Sequence, residues 1–440
     1  MRKNTRRSTI GTVICLSLAL NGYAQVDKPE ALTVQETVQK VIAQNLTLKE
    51  AEDAIAVIKA RVDQLKSGLL PNVRGDASYS RIGPVEELTF PGFGTFQLFP
   101  ADNYDIHAGV RQLLYDGKRT KESIALAESQ VESAVDRWEL LKRDMAFQTV
   151  QLCDSILFLR ESLRVQSDHV KALSDHLDIA RKKVAAGTAT ELEVLNTQVR
   201  VVAAQNQVVD LQNMIEKQTL GLQQLMKLED EAPFELSGEF RYQPMPLDAD
   251  ELIRLARLQR PETRSIQNLM KSANIEVLLA SLTHLPVISA NVLFGAKNGY
   301  IPNLNTVKLN FVAAVSASVS VFDGHLGRAQ KMQATANLKT FEDRNQELEA
   351  MIKTEVRQAI SDVRASDQKL KAVEVNIEQA KKAMAYAQAR YEAGTITNLD
   401  LLDTEDALTE AEFAKLRALY QFVLSKLTLQ RAVGNPLVGK

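Results

Sequence analysis

The chain has 440 residues, 45% hydrophobic and 25% charged, which is ample for a large buried core. A formal net charge of -2 removes the electrostatic case for nucleic acid as a partner. Glycine (19), proline (12) and aromatic residues (5%) are all sparse, a composition that suits long helices better than an all-β fold.

Residues 1–24 read as an export signal. Arg2, Lys3, Arg6 and Arg7 form a basic n-region, residues 10–20 a short apolar h-region, and Gly22 and Ala24 the small residues before a cut ahead of Gln25. The apolar run is too short for a membrane helix. Cys15 sits inside it without the small preceding residue that lipidation requires, so no lipid anchor is expected. Cys153 is then the single cysteine of the mature chain, with no intramolecular disulfide partner, and reads as a small buried hydrophobe on a helix. No later stretch approaches ~18 uninterrupted apolar residues, so any membrane span must be made of strands.

The remainder is a duplication. Gly187-Thr188-x-Thr190 recurs as Gly394-Thr395-x-Thr397, and Leu114-Tyr115-Asp116-Gly117 as Val321-Phe322-Asp323-Gly324; both offsets are 207 (394 − 187 and 324 − 117). Leu70-Pro71 recurs as Leu285-Pro286 at an offset of 215, which puts a longer loop in the first copy. The expected division is a first repeat over 25–230, a linker over 231–248 and a second repeat over 249–440.

Each repeat opens with a helical segment (33–69 and 249–285) that ends at Leu-Pro. Two strands follow, at about 72–82 and 104–115 in the first copy and about 286–296 and 308–322 in the second. The last alternates best: Leu309, Phe311, Ala313, Val315, Ala317, Val319 and Val321 face one way, Asn310, Ser316, Ser318 and Ser320 the other. Apolar-out, polar-in strands of about ten residues are the signature of a membrane barrel, although the alternation alone fits a soluble hairpin with one wet face equally well. Gly92 and Gly94, in the first strand-joining loop, are turn glycines; no strand-to-helix context makes them a nucleotide loop.

A long heptad segment follows each Asp-Gly. Val356, Val363, Leu370, Ile377, Met384 and Tyr391 recur every seventh residue, with Ala359, Ser366, Val373, Ala380 and Ala387 three places on. Ile156, Leu163, Val170, Leu177 and Val184 keep the same register 207 residues earlier. From Gly117 to Gly187 such a helix is roughly 100 Å long. Gly187 and Gly394 then break the pattern, and a second apolar-periodic segment returns from each. Each repeat is thus strand, strand and a long helical hairpin with a tip. Four strands cannot close a barrel, and an open sheet cannot sit in lipid, so several chains would have to share one barrel.

These residues resemble a TolC-like outer-membrane efflux protein. The resemblance covers essentially the whole mature chain and rests most on Arg390-Tyr391-Glu392-Ala393-Gly394-Thr395-Ile396-Thr397-Asn398-Leu399-Asp400-Leu401-Leu402-Asp403 and the weaker copy around Gly187. It implies a mainly α fold with a β-barrel part: a homotrimer with a twelve-stranded barrel in outer-membrane lipid, continued by an α-helical tunnel. It also implies no cofactor, and helical tips that dock to a periplasmic adaptor (membrane fusion protein) linked to an inner-membrane pump, in efflux or type I secretion.

Carried over by position, Gly187, Thr188, Gly394 and Thr395 match the adaptor-contacting turns. Asp400 and Asp403 match an acidic pair at the periplasmic entrance, where three chains would ring the passage with carboxylates. Without the resemblance the same pair reads as a solvated helix start favoured by the macrodipole. Glu193 and Tyr391 match positions that hold the entrance closed, although Tyr391 is also the last heptad residue and packing alone accounts for it. Ile396 stands where some members carry a basic entrance residue.

An enzyme is disfavoured. His107, His169, His176, His284 and His325 form no ligand cluster, the pair at 169 and 176 reading as surface or seam positions, and no Gly-x-Ser-x-Gly, P-loop or His-Glu-x-x-His motif occurs. The competing reading is an exported coiled-coil scaffold or adaptor without a barrel.

Overall fold

A computed structural model describes residues 30–227, 234–239 and 241–435. The expected export signal and its cut lie outside these residues. The first repeat opens with β1 (Glu30–Thr33), α1 (Val34–Gln44) and α2 (Leu46–Ser67). One helical segment was expected over 33–69; Asn45 divides it. Its backbone is extended, and its side-chain oxygen accepts from the N–H groups of Thr47 and Leu48, so it ends one helix and caps the next. Next come β2 (Asn72–Arg81), a small hairpin of β3 (Glu87–Phe90) and β4 (Gly94–Gln97), and β5 (Asp102–Tyr115). Gly92 and Gly94 turn that hairpin at φ of 89° and 92°. The long hairpin is α3 (Arg119–Ala185) and α4 (Glu191–Met226).

The linker is not wholly irregular: β6 (Phe234–Ser237) pairs in parallel with β1. The second repeat is α5 (Ala249–Gln259), α6 (Pro261–Ser281), β7 (Val287–Lys297), β8 (Lys308–Ser318), α7 (Leu326–Glu392) and α8 (Asn398–Val433). Its helical opening is also divided, at Arg260, because Pro261 pushes the preceding residue into extended backbone. Both α3 and α7 have 67 residues, and both α4 and α8 have 36, so the duplication preserves the lengths. At 1.5 Å per residue the long helices measure about 100 Å.

The Asp-Gly marks turn strand into helix. Gly117 and Lys118 both take positive φ, as do Gly324 and His325. Asp116 accepts the Thr120 N–H at 2.7 Å and Asp323 the Gly327 N–H at 2.8 Å, so each aspartate caps the helix that follows.

Four strands form one antiparallel sheet in the order β2-β5-β7-β8, the two repeats meeting at β5 and β7. The register sorts its faces. Val73, Val110, Val292 and Ala313 form one cross-strand row, and Ala77, Ile106, Ala296 and Leu309 another. On the opposite face Asp76, His107, Gly295 and Asn310 form a polar row, with His107 Nε2 and Asn310 Oδ1 3.0 Å apart. The apolar face is bare: Val73, Phe311 and Val315 are each more than 70% exposed. Both edges, β2 and β8, lack an outer neighbour among the described strands. β8 stops at Ser318, short of the expected 322. Its partner β7 begins at Val287, and the preceding Pro286 has no N–H for the ladder.

The helices pack by their heptad seams. Val356, Val363, Leu370, Ile377 and Tyr391 are buried on α7, as are Ile156 and Leu177 on α3. The cores repeat as well. Cys153, Ile156, Leu222 and Met226 pack with β1, α1 and β6; Ile360, Val363, Leu429 and Val433, each 207 residues later, pack with α5. Cys153 is fully buried, and burial pushes its thiol up to about 12, the behaviour of an inert core residue.

Candidate functional site

Both hairpin tips follow one local rule, spelled by Gly-Thr-x-Thr. Ala186 is the C-cap of α3 and Gly187 after it takes φ +74°; Ala393 is the C-cap of α7 and Gly394 after it takes φ +70°. A Cβ on either glycine would meet no atom within 4 Å, so the left-handed backbone requires glycine here and space does not. The N–H of Gly187 donates to Val184 O and that of Thr188 to Lys183 O, both at 2.9 Å. Gly394 N–H donates to Tyr391 O at 3.1 Å and Thr395 N–H to Arg390 O at 2.9 Å. This is the Schellman pattern, which satisfies the last carbonyls of each long helix. The hydroxyls of Thr188 and Thr395 add bonds of 3.1 Å to the Lys183 and Arg390 carbonyls.

The second threonine of each motif caps the returning helix. Thr397 Oγ1 accepts the Asp400 N–H at 3.2 Å, and the Asp400 carboxylate accepts the Thr397 N–H and hydroxyl at 2.9 and 2.7 Å. Glu193 accepts from the N–H and hydroxyl of Thr190 at 3.3 Å. Glu193 and Asp400 are therefore the same position in the two repeats (400 − 193 = 207), each closing a capping box. The Thr397 hydroxyl and amide hold the Asp400 carboxyl below its ordinary range.

The fold brings the two tips together. A groove of about 340 Å³ lies between them, bordered by Thr188, Glu193, Tyr391 and Gly394. Leu192 and Leu399, also 207 apart, border it with more than half of each side chain in solvent. Tyr391 is buried. Lys183 Nζ stands 3.7 Å from its ring centroid, and the His176 ring meets it edge-on at 5.1 Å. The Tyr391 hydroxyl has no hydrogen-bond partner among the described residues; burial, then the Glu193 charge, raises its pKa. Packing accounts for Tyr391 within one chain.

Asp403 has a partner that sequence reasoning missed. Arg200, on α4, donates to Asp403 Oδ1 at 2.7 Å and also grips Asp406. Beside this pair, His169 on α3 lies 2.9 Å from Thr409 Oγ1 and 3.4 Å from Asp406 Oδ1. Glu405 is 5% exposed, and burial pushes its carboxyl up to about 7. Nearer the tip, His176 Nε2 meets Asn398 Oδ1 at 2.5 Å, and Asn398 Nδ2 donates to Thr197 Oγ1 at 3.3 Å. His169 and His176 are thus seam residues, and the seam joins the two hairpins. One signal for these contacts lies in the repeat itself. Shifting His176 and Arg200 by 207 gives Ala383 and Ala407, and shifting Asp403 and Asp406 back gives Asn196 and Val199. The contacts sit where the two copies differ.

The family described as "Outer membrane efflux protein" matches residues 37–226 and 252–435. Among curated relatives, the alkaline protease secretion protein AprF of Pseudomonas aeruginosa is 22% identical over 346 residues, 76% of this chain and 70% of its own. The outer membrane efflux protein BepC of Brucella suis biovar 1 is 20% identical over 98% of this chain and 91% of its own. Among solved structures, the Campylobacter jejuni CmeC outer membrane channel superposes with a TM-score of 0.77 at 16% identity, covering 91% of this chain and 85% of that one. The two matched segments coincide with the two repeats, each carrying one tip. The chain therefore belongs to the outer membrane efflux protein family and is a TolC-like channel protein of the cell outer membrane.

Proposed function

We propose that three copies of this chain form one passive exit duct. In it, a twelve-stranded barrel in the outer membrane continues into a tube of long helices reaching through the periplasm. The observation that carries this reading is the four-stranded sheet. Among the described strands its two edges are unpaired; its apolar face is bare, and it stands at one end of helices about 100 Å long. A sheet with open edges is untenable in lipid, and three such sheets joined edge to edge supply twelve strands and remove the edges. Exposed Leu195, Val199, Val202 and Val209 on α4 keep 3-4-7 spacing, and such an apolar seam fits a helix of a neighbouring copy.

The tips are the docking ends. Gly187-Thr188 and Gly394-Thr395 present tight, side-chain-poor turns to a periplasmic adaptor, which connects the duct to an inner-membrane pump for efflux or type I secretion. Glu193, Tyr391, Asp400 and Asp403 flank the entrance, where three copies bring their carboxylates to one passage and favour cations. The test is purification from the outer-membrane fraction. The expected product is a heat-modifiable trimer that conducts in planar bilayers, co-purifies with an adaptor and loses its β signal when β2, β5, β7 and β8 are deleted. A soluble periplasmic monomer would show instead that the chain is a helical scaffold without a barrel.

A further inference from the structure

The polar face of the sheet carries a charge pattern that neither the tips nor the open edges explain. Lys297, the last residue of β7, stands directly opposite Lys308, the first of β8, at the end of the sheet remote from the helices. Like charges directly opposed on neighbouring strands destabilise a sheet. Asp105 is the next residue of the same row, in register with Lys297. Its carboxylate is engaged elsewhere, by His107 Nδ1 two residues along β5. Gly295 on β7 makes that possible. It lies between His107 and Asn310 in the register, and a Cβ there would stand 2.6 Å from His107 Cδ2. The bare glycine lets the ring lie across β7, with Nε2 3.0 Å from Asn310 Oδ1 on β8. Among the described residues neither lysine forms an ion pair. Lys308 is exposed, and Lys297 stands 5.7 Å from the Tyr300 ring centroid. The other acids of this end lie off the row. Asp102 is on the apolar face with Tyr79 and Arg81, and Glu86 and Glu87 belong to the β3–β4 segment.

We propose that Lys297 and Lys308 form an anion-binding site for small multivalent oxyanions, repeated in three copies as a ring of ammonium groups at the outer exit. This rests on the reading of the chain as a duct. With the apolar face in lipid, the polar face lines the wet passage, so the ligand is a dissolved phosphate or carboxylate and not a lipid headgroup. Ammonium groups supply three donors each, and a narrow passage with low-dielectric walls concentrates their counter-ions. The rest of the face has the same sign. Arg74, Arg111, Lys297 and Lys308 oppose only Asp76 and Asp105, although the whole chain is net -2. His107 is the positioning residue: by holding Asp105 it keeps the one carboxylate of the row from neutralising Lys297. The duct then carries opposite charge at its two ends, acidic at the tips and basic at the exit.

The test uses the full-length protein in planar bilayers, with inorganic pyrophosphate as the probe. Block of single channels and the reversal potential in a potassium chloride gradient are the readouts. The parent is expected to be blocked from the barrel side. Lys297→Gln with Lys308→Gln should weaken that block at least about fivefold, the effect of one unit charge at ~4 Å in bulk water. Lys297→Arg with Lys308→Arg keeps the block, and Lys297→Glu with Lys308→Glu moves the reversal potential toward cation selectivity. His107→Gln frees Asp105 for Lys297 and weakens the block; adding Asp105→Asn restores it, a rescue that a merely structural lesion at His107 would not show. Equal block of the parent and the double glutamine variant, in channels of equal conductance, overturns the site. So does a block of the parent that is as strong from the tip side as from the barrel side. A parent that forms no channel overturns the duct reading and takes the ring with it.

Discussion

The two hairpin tips share a backbone and differ in their flanks. At both, a left-handed glycine ends a 67-residue helix, two N–H groups return to the preceding turn, and a threonine caps a 36-residue helix. The side chains a few turns back have become complementary. The first hairpin carries His169, His176, Thr197 and Arg200; the second presents Thr409, Asn398, Asp403 and Asp406 to them. Duplication supplied two equivalent turns, and divergence of the flanks made one hairpin hold the other. The tip turn is thus the shared part, suited to an external partner, and the flanks are the distinct part, suited to joining the hairpins.

The comparison breaks most severely at the shared turns. Proline cannot adopt φ near +70°, and at Gly394 it also removes the N–H bonded to Tyr391 O. Gly394→Pro or Gly187→Pro is expected to abolish adaptor capture and efflux while native electrophoresis still shows trimers. Gly394→Ala meets open space and loses only about 1–2 kcal/mol to the left-handed backbone. Capture that survives both proline variants means that the turns are not the dock.

The distinct part is sharpened by pH. Burial raises the folded-state pKa of Glu405 from the ordinary 4.5 to about 7. Its contribution is fully present below about pH 4.5 and is lost as pH rises through about 7, by up to about 3 kcal/mol. The groups that face it are Arg200 on α4, His169 on α3, and Asp406 on its own helix. His169 works in the opposite sense: burial lowers its pKa, so its contribution is present above its ordinary pKa and is lost as pH falls below it. Stability measured between pH 5 and 8 is expected to fall toward the alkaline end in the parent and to lose that slope in Glu405→Gln. An unchanged slope would mean that Glu405 is not the group that titrates.

Smaller effects separate the tips further. Asn398→Ala leaves His176 Nε2 without its partner and Thr197 Oγ1 with only its bond to the Glu193 carbonyl, and is expected to cost about 1–3 kcal/mol in chemical denaturation. His176→Leu with Asn398→Leu, which removes both partners, is expected to recover most of that. Thr397→Ala is expected to cost about 1 kcal/mol, and Thr190→Ala less, since the Glu193 bonds are longer than those of Asp400. Amide exchange in the first turns of α8 and α4 reads the difference, and equal losses would show the two caps to be equivalent.

Much of the fold is legible in the chain. The 207-residue offset, the heptads through Val356 and Ile156, and the Gly-Thr-x-Thr and Asp-Gly marks specify element types, lengths and tips, because each is a local rule of spacing or backbone conformation. The breaks at Asn45 and Arg260 carry equally local signals, a capping side chain and a following proline, within segments whose apolar pattern runs on past them. The β1–β6 pairing joins segments some 200 residues apart, and four-residue strands give too short a pattern to announce it.

Only the tertiary structure decided which face of one hairpin meets the other. Heptad periodicity fixes the seam along which a helix packs, but not the rotation and axial offset of two hairpins against each other. For that reason Asp403 and Asp400, equal in the sequence as an acidic pair, part company: Asp400 closes a capping box within three residues of Thr397, and Asp403 binds Arg200 across 203 residues of chain. The first contact is dictated by helix geometry, and the second exists only because the fold sets α4 beside α8.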